Sequence, residues 1–288
     1  LYFVELMAED DRSAEVLMEA AREKEVIVER AVITVGAAGG LNCLFKATLE
    51  PGDEVVCPAP YFVEYGSYCG NFGGLLKAVP SAPGTFKLNL EGIEAAISDR
   101  TRILLINSPN NPAGVVYTRG ELDALAEILR RKNQSRTRPI ILVSDEPYRF
   151  LAFDGKVVPS ILPCYEYSVV CSSFSKNLGL AGERVGYLAV NPAMGDDEAA
   201  QLTAGLILTN RTIGYVNAPC IGQKLIIGAV ERMDETLAAQ SAQLAVYEER
   251  RRVMASILDE AGIEYQMPAG TFYFFPKAPH GMDDVAFV

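Results

Sequence analysis

The chain has 288 residues, 49% hydrophobic and 22% charged, a globular composition long enough for one large domain and a smaller second one. Its formal net charge of -11 supplies no basic face for phosphate backbones, so no nucleic-acid partner is expected. The six cysteines show no CxxC spacing and His280 is the single histidine, which argues against a metal site, a disulfide framework and a Ser-His-Asp triad, and suits reduced thiols in a cytoplasm.

Leu1 to Met7 is apolar, but Glu5 interrupts it and acids follow, so it does not read as a secretory signal. Residues 11–25 mix acids, bases and alanines as a surface helix does. Ala31 to Val35 is a short β-type run, followed by Gly36-Ala37-Ala38-Gly39-Gly40 and an apolar helical pattern through Leu49. Pro51-Gly52-Asp53 is a turn, and Glu54 to Cys57 and Leu75 to Val79 are strand-like. Ile103 to Asn107 reads as a buried strand. Thr118 and Glu121 form a capping box, and Leu122, Leu125, Ala126 and Leu129 follow at helical spacing, which predicts an amphipathic helix over 119–132.

Pro139 to Ser144, Val169 to Ser172 and Val185 to Val190 are three more apolar strands. Leu202 to Leu208 is the nearest approach to a bilayer span and is far too short, so no membrane partner is expected. From about Gly228 to Glu260 the pattern predicts one long helix with Met233, Leu237, Leu244, Val253 and Ile257 as its apolar stripe. Two strand-like runs follow, Ile263 to Gln266 and Thr271 to Phe275. Continuous apolar strands alternating with helices predict an α/β fold with a largely parallel sheet flanked by helices. The expected division is an N-terminal helical segment over 1–30, a large domain over 31–227, and a linking helix with part of a second, smaller domain over 228–288.

Four polar groups follow predicted strands, the edge at which open α/β sheets bind ligands. Asn107 to Gly114 holds two prolines and a glycine; Pro112 moves Asn111 away from helical geometry, leaving either a rigidly aimed amide or a turn made by asparagines. Asp145, in Ser144-Asp145-Glu146-Pro147-Tyr148, is either a helix cap or a functional carboxylate. Lys176 ends Ser172-Ser173-Phe174-Ser175-Lys176 and reads as a surface lysine or as a reactive amine. Arg184 sits directly before a strand. Gly36 to Gly40 is either an anion cradle at a helix start or a tight turn; it matches neither the dinucleotide nor the P-loop spacing. Together these supply an anion cradle, an amine, a carboxylate, a tyrosine, an asparagine and an arginine. Pyridoxal phosphate chemistry uses that set: an amine for the aldehyde, a carboxylate for the ring nitrogen, and N–H groups with an arginine for the phosphate.

The same residues resemble the class I/II aminotransferase family, aspartate-aminotransferase-like. The matching runs are Val35 to Ala38, Pro51-Gly52-Asp53-Glu54-Val55, Pro60-Tyr61-Phe62, Asn110-Asn111-Pro112-Ala113-Gly114, Asp145 to Tyr148, Ser173 to Lys176, Gly182-Glu183-Arg184-Val185-Gly186 and Pro268 to Tyr273. They occur in order, with family-like spacing, from about residue 30 to 276. The resemblance implies the fold of type I pyridoxal-phosphate transferases, with a smaller α+β domain of which only part is present. It implies amino transfer between an amino acid and a 2-oxo acid in two half-reactions, and a homodimer. It implies that Lys176 forms the imine with the cofactor and moves the proton, and that Asp145 pairs with the pyridine nitrogen. Tyr148 and Asn111 would hold the phenolic oxygen, and Phe62 would stack on the ring. Ala37, Ala38, Ser173, Arg184 and, more weakly, Ser175 would bind phosphate.

Other reactions on the same scaffold (a β-lyase, a decarboxylase or a synthase) and a non-catalytic sensor domain are the alternative expectations. The arginine that holds the substrate α-carboxylate in the family is not identifiable, since none follows Arg252; the expectation is a piece of a longer chain. Ala38 stands where one aspartate-using subgroup carries lysine, which speaks against a simple aspartate assignment.

Overall fold

A computed structural model describes residues 30–287. The expected helix at 11–25, and the 1–30 segment apart from Arg30, lie outside the described residues. Among the described residues, seven strands make one sheet in the order β1-β7-β6-β5-β4-β2-β3. These are β1 (Ala31–Thr34), β2 (Glu54–Ala59), β3 (Leu75–Pro80), β4 (Thr101–Asn107), β5 (Ile141–Asp145), β6 (Ser168–Ser173) and β7 (Gly186–Val190). Only β7 runs against its neighbours, β1 and β6. Every strand read from the sequence up to Val190 is present, with ends shifted by one or two residues.

Strands this apolar need cover on both faces, and two separate cores supply it. Side chains alternate along β4: Leu104 and Ile106 enter one core with Leu122, Leu125 and Leu129, whereas Ile103 and Leu105 enter the other with Leu41, Leu44 and Phe45. The first of these helices is α4 (Arg119–Asn133) and the second α1 (Gly36–Thr48); α2 (Tyr65–Gly70) and α3 (Leu90–Ala96) lie between them in sequence. The capping box forms as expected, with the Glu121 N–H donating to Thr118 and the Thr118 N–H donating to Glu121. After the sheet come α5 (Asp196–Thr212), α6 (Cys220–Glu231), α7 (Met233–Glu260) and the short α8 (Asp284–Phe287). The Leu202 to Leu208 run belongs to α5, and no described helix is long and apolar enough to cross a membrane.

Three expectations are corrected. The long helix of 228–260 is two helices, because Arg232 leaves helical geometry at φ -118° and ψ 53°. The Thr236 hydroxyl then takes the carbonyl of Ala229 at 2.8 Å. The apolar stripe holds only in its first part: Met233, Leu237 and Leu244 are half-buried, but Val253 and Ile257 are exposed, and Ala255 and Leu258 are the buried residues of α7. Neither 263–266 nor 271–275 is a strand. The Lys277 N–H, beyond the second run, donates to Glu264, and the second run is tied inward by the Thr271 N–H to Leu151 beside a single bridge of Ala152 to Gly270; a ladder needs repeated pairing that neither run has among the described residues.

Leu125 is fully buried in the core between β4, β5 and α4. Leu125→Ala is expected to lower the unfolding free energy by roughly 2–5 kcal/mol, the cost of lost burial plus a cavity. Denaturant melts of the two proteins measure it.

Candidate active site

The parallel strands all present their carboxyl ends at one edge of the sheet, and the reversed β7 begins at that same edge. Register aligns the residues there. Asn107 is opposite Asp145, Asp145 opposite Cys171, Ser173 opposite Gly186, and Gly186 opposite Thr34. The motifs at 36–40, 107–114, 145–148, 172–176 and 182–186 therefore meet the sheet along one rim.

At the β1 corner, α1 starts with no side-chain cap and no acid in its first turn. The amides of its first turn, including those of Ala37 and Ala38, have no partner within the helix and point out of its positive end. Arg184 lies over this start. Its backbone is left-handed, at φ 52°, and its Nη2 lies 2.8 Å from where a Cβ on Gly36 would stand. Gly36 itself is at φ 69°, so glycine serves twice: for the backbone turn and for the guanidinium's approach. Arg184 donates to the Ala181 carbonyl at 3.0 Å and makes no ion pair among the described residues. Ser173 is buried at the end of β6, and Ser175 is half-buried two residues on. A cationic side chain above open helix amides is an anion site.

At the centre, Asp145 does not cap a helix. Its Oδ2 accepts a hydrogen bond of 2.6 Å from Tyr65, while Oδ1 is buried without a partner. Burial pushes this carboxyl up to about 7; the Tyr65 hydroxyl opposes the rise and the neighbouring Glu146 adds to it. Glu146 is buried as well, but Arg149 pairs with it at 2.9 Å. A buried carboxylate oxygen with no donor is the mark of a place built for one, and a cationic N–H is the donor that would return Asp145 to its charged form. A protonated pyridine nitrogen has that chemistry, and the anion site beside β1 has the chemistry for a phosphate. The residues present fit pyridoxal phosphate.

The Asn107 amide donates to the Asp145 carbonyl at 2.7 Å and its oxygen accepts from the Asn111 N–H at 2.5 Å, which fixes the loop that carries Asn111. Tyr148 is buried, linked to the Asn111 side chain and, at 3.0 Å between hydroxyls, to Tyr273; burial, first of all, raises its pKa. Phe62 is half-buried with its ring edge-on to Tyr65 at 5.4 Å. Lys176 is half-buried, not a free surface residue, and its Nζ sits 5.5 Å from the centre of the Phe272 ring. Phe272 and Tyr273 arrive because the loop before them is held down. The amides of Ala269 and Gly270 both donate to the Gly114 carbonyl, and Thr271 donates to Leu151.

The structure thus brings all ten expected site residues to the one rim. Sequence reasoning missed Tyr65, although its position three after Phe62 is a neighbouring place on a helical turn. Phe272 and Tyr273 are legible in the sequence as part of a motif, but their reach to Lys176 and Tyr148 is set by the fold.

Gly186 is hemmed in by backbone on three sides. A Cβ there would lie 2.5 Å from the Gly36 carbonyl carbon, 2.6 Å from the Ser172 carbonyl and 2.7 Å from the Ala37 nitrogen, all backbone. Gly182, four residues earlier, has open space. Gly186→Ala is expected to destabilise by roughly 1–3 kcal/mol or more, and Gly182→Ala to be neutral or mildly stabilising. Thermal unfolding of the pair checks the contrast.

Comparison with known proteins agrees with this geometry. A family model described as aminotransferase class I and II matches residues 11–287. The chain is 35% identical, over 273 residues, to an aspartate/prephenate aminotransferase of Cereibacter sphaeroides, covering 88% of this chain and 62% of that protein. A crystal structure of an aminotransferase from Eubacterium rectale superposes with a TM-score of 0.82 at 35% identity, covering 90% of this chain and 63% of that one. A mutant Thermus thermophilus aspartate aminotransferase superposes with a TM-score of 0.81 at 28% identity, covering 94% and 73%. The chain therefore spans less than two thirds of the length of the first two.

Proposed function

Because the chain belongs to the class I and II aminotransferases, we propose that it carries pyridoxal phosphate and moves an amino group between an amino acid and a 2-oxo acid. The observation that supports this most is the buried, unpartnered Oδ1 of Asp145 on the same rim as Lys176 and the Arg184 anion site. Bound pyridoxal phosphate supplies an aldehyde that captures amines and a protonated ring that draws electrons from the substrate's Cα.

The protein's part follows from its residues. The amides of Ala37 and Ala38, with Arg184, Ser173 and Ser175, hold the phosphate. Asp145 keeps the ring nitrogen protonated, and Tyr148 and Asn111 orient the phenolic oxygen. Phe62 covers one face of the ring. Lys176 would hold the cofactor through its amine between turnovers, and Nζ, once free, would act as the base that takes the proton from the substrate's Cα and as the acid that gives it back. The Phe272 ring lies beside that amine, with its centre 5.5 Å from Nζ.

The relatives named for aspartate and prephenate make aspartate the first donor to assay, against 2-oxo acids including prephenate. Exposed Ile207, Leu208, Ile221, Leu225 and Ile227 on α5 and α6 support a homodimer. Free thiols among the described residues agree with a cytoplasmic location.

Borohydride reduction and peptide mapping should find a pyridoxyl group on Lys176, and Lys176→Ala should bind the cofactor only non-covalently. Its proton transfer should fall by about 10²–10⁴-fold. An adduct on another lysine would refute the assignment.

The carboxylate and the arginine should separate by readout. Asp145→Asn should reduce turnover far more than cofactor affinity. Arg184→Ala should weaken cofactor binding by roughly 1.5–3 kcal/mol, the value of a hydrogen bond to a charged group. Dissociation constants and rates for both variants decide it; equal effects on affinity would count against separate roles.

A further inference from the structure

The two oxygens of Asp145 have different fates, and Tyr65 makes the difference. Tyr65 is fully buried at the start of α2, its N–H bonded to the Phe62 carbonyl at 3.0 Å and its ring packed against those of Tyr61 and Phe62. Phenylalanine would fill that space equally well; a buried hydroxyl is tolerated only with a partner, and its partner is Oδ2 of Asp145 at 2.6 Å. We propose that Tyr65 is a positioning residue whose hydroxyl occupies Oδ2, so that Oδ1 is the oxygen offered to the cofactor's ring nitrogen and the carboxyl stays ionised. This assignment rests on the pyridoxal phosphate reading.

The surroundings explain why such a donor is needed. The titratable groups that face Asp145 are Glu146 beside it, Cys57 on β2, Cys171 on β6, Tyr68 on α2 and Tyr148 after β5. None is cationic, and Arg149 is already paired with Glu146. Burial and Glu146 both favour the protonated acid, and the Tyr65 hydrogen bond is the influence that favours the carboxylate. A protonated Asp145 could not hold a pyridinium N–H. Removing the hydroxyl should therefore raise the pH at which the carboxyl ionises above its present value of about 7.

The test measures binding. Dissociation constants are taken across pH for pyridoxal phosphate and for its carbocyclic analogue without the ring nitrogen. The proteins are the unaltered chain, Tyr65→Phe, Asp145→Asn, the double variant, and the chain with 3-fluorotyrosine at position 65. The unaltered chain should prefer the nitrogen-containing ligand. Tyr65→Phe should reduce that preference about tenfold, the order of one hydrogen bond to a charged group, with affinity for the analogue unchanged. The loss should be deepest below neutrality and recover as pH rises. Fluorotyrosine, which keeps the donor, should restore the preference, and Tyr65→Phe should add nothing once Asp145 is asparagine. Equal weakening of both ligands would show a merely structural role, and an unchanged preference with an unchanged pH profile would overturn the proposal. If the unaltered chain binds neither ligand, the cofactor reading itself fails and this assignment falls with it. Binding of both without preference would leave the cofactor reading standing and remove the premise for Tyr65.

Discussion

A carboxylate at the end of a strand that is buried on both faces must be answered by donors or it will not stay charged. Asp145 is in that position, and much of the rim can be understood as its answer. Tyr65 reaches it from beyond β2, Asn107 on β4 secures its backbone carbonyl, and Glu146 is neutralised separately by Arg149. One oxygen is still left open. The protein carries an unfavourable buried group in its own right, and a cationic ligand is what would relieve it. Affinity and function then share one cause.

The second constraint is steric. Two neighbouring backbones must meet where β7 starts and α1 starts, and the absence of a side chain at Gly186 lets them, while the bare Gly36 admits the Arg184 guanidinium. The reversal of β7 follows from the same place. A strand running with the others would put its amino end, and Arg184, at the opposite edge of the sheet. Running against them, β7 begins at the ligand edge and Arg184 meets the helix amides directly. The anion site is thus assembled from an open helix end, the arginine that a reversed strand brings to it, and two glycines that let them approach.

What could be read from the sequence was what is local. The capping box of Thr118 and Glu121, the continuous apolar runs of the parallel strands and the glycine corner at 36–40 each carry their structural cause within a few residues. Tyr65 and Asp145 are separated by 80 positions and meet across strands that are not even neighbours, β2 and β5, with β4 between. No periodicity records that. Helix α5 was missed for a different reason: of its five buried residues, Ala199, Thr203, Leu206, Thr209 and Asn210, three are polar, and exposed Ile207 and Leu208 blur the stripe. The runs at 263–266 and 271–275 have the composition of strands, but composition does not provide an edge to pair with. The roles of Lys176, Asp145 and Arg184 came from an ordered set of motifs, because each residue alone had an ordinary structural reading.

The rim also divides by stiffness, and the division matches the proposed chemistry. Asp145 is the last residue of β5, held by ladders on both sides and by Tyr65. The task proposed for it, holding one proton on a ring nitrogen, requires that it not move. Lys176 lies three residues beyond the end of β6, half-buried, with a ring rather than a carboxylate beside its amine. An ion pair would fix that amine in one place. An aromatic face is a weaker and less directional neighbour, so it can shield Nζ without tethering it. The role proposed for this amine, holding the cofactor in one stage and moving a proton in the next, needs that freedom. The fold provides it by placing the carboxylate inside the ladder and the lysine just past its end.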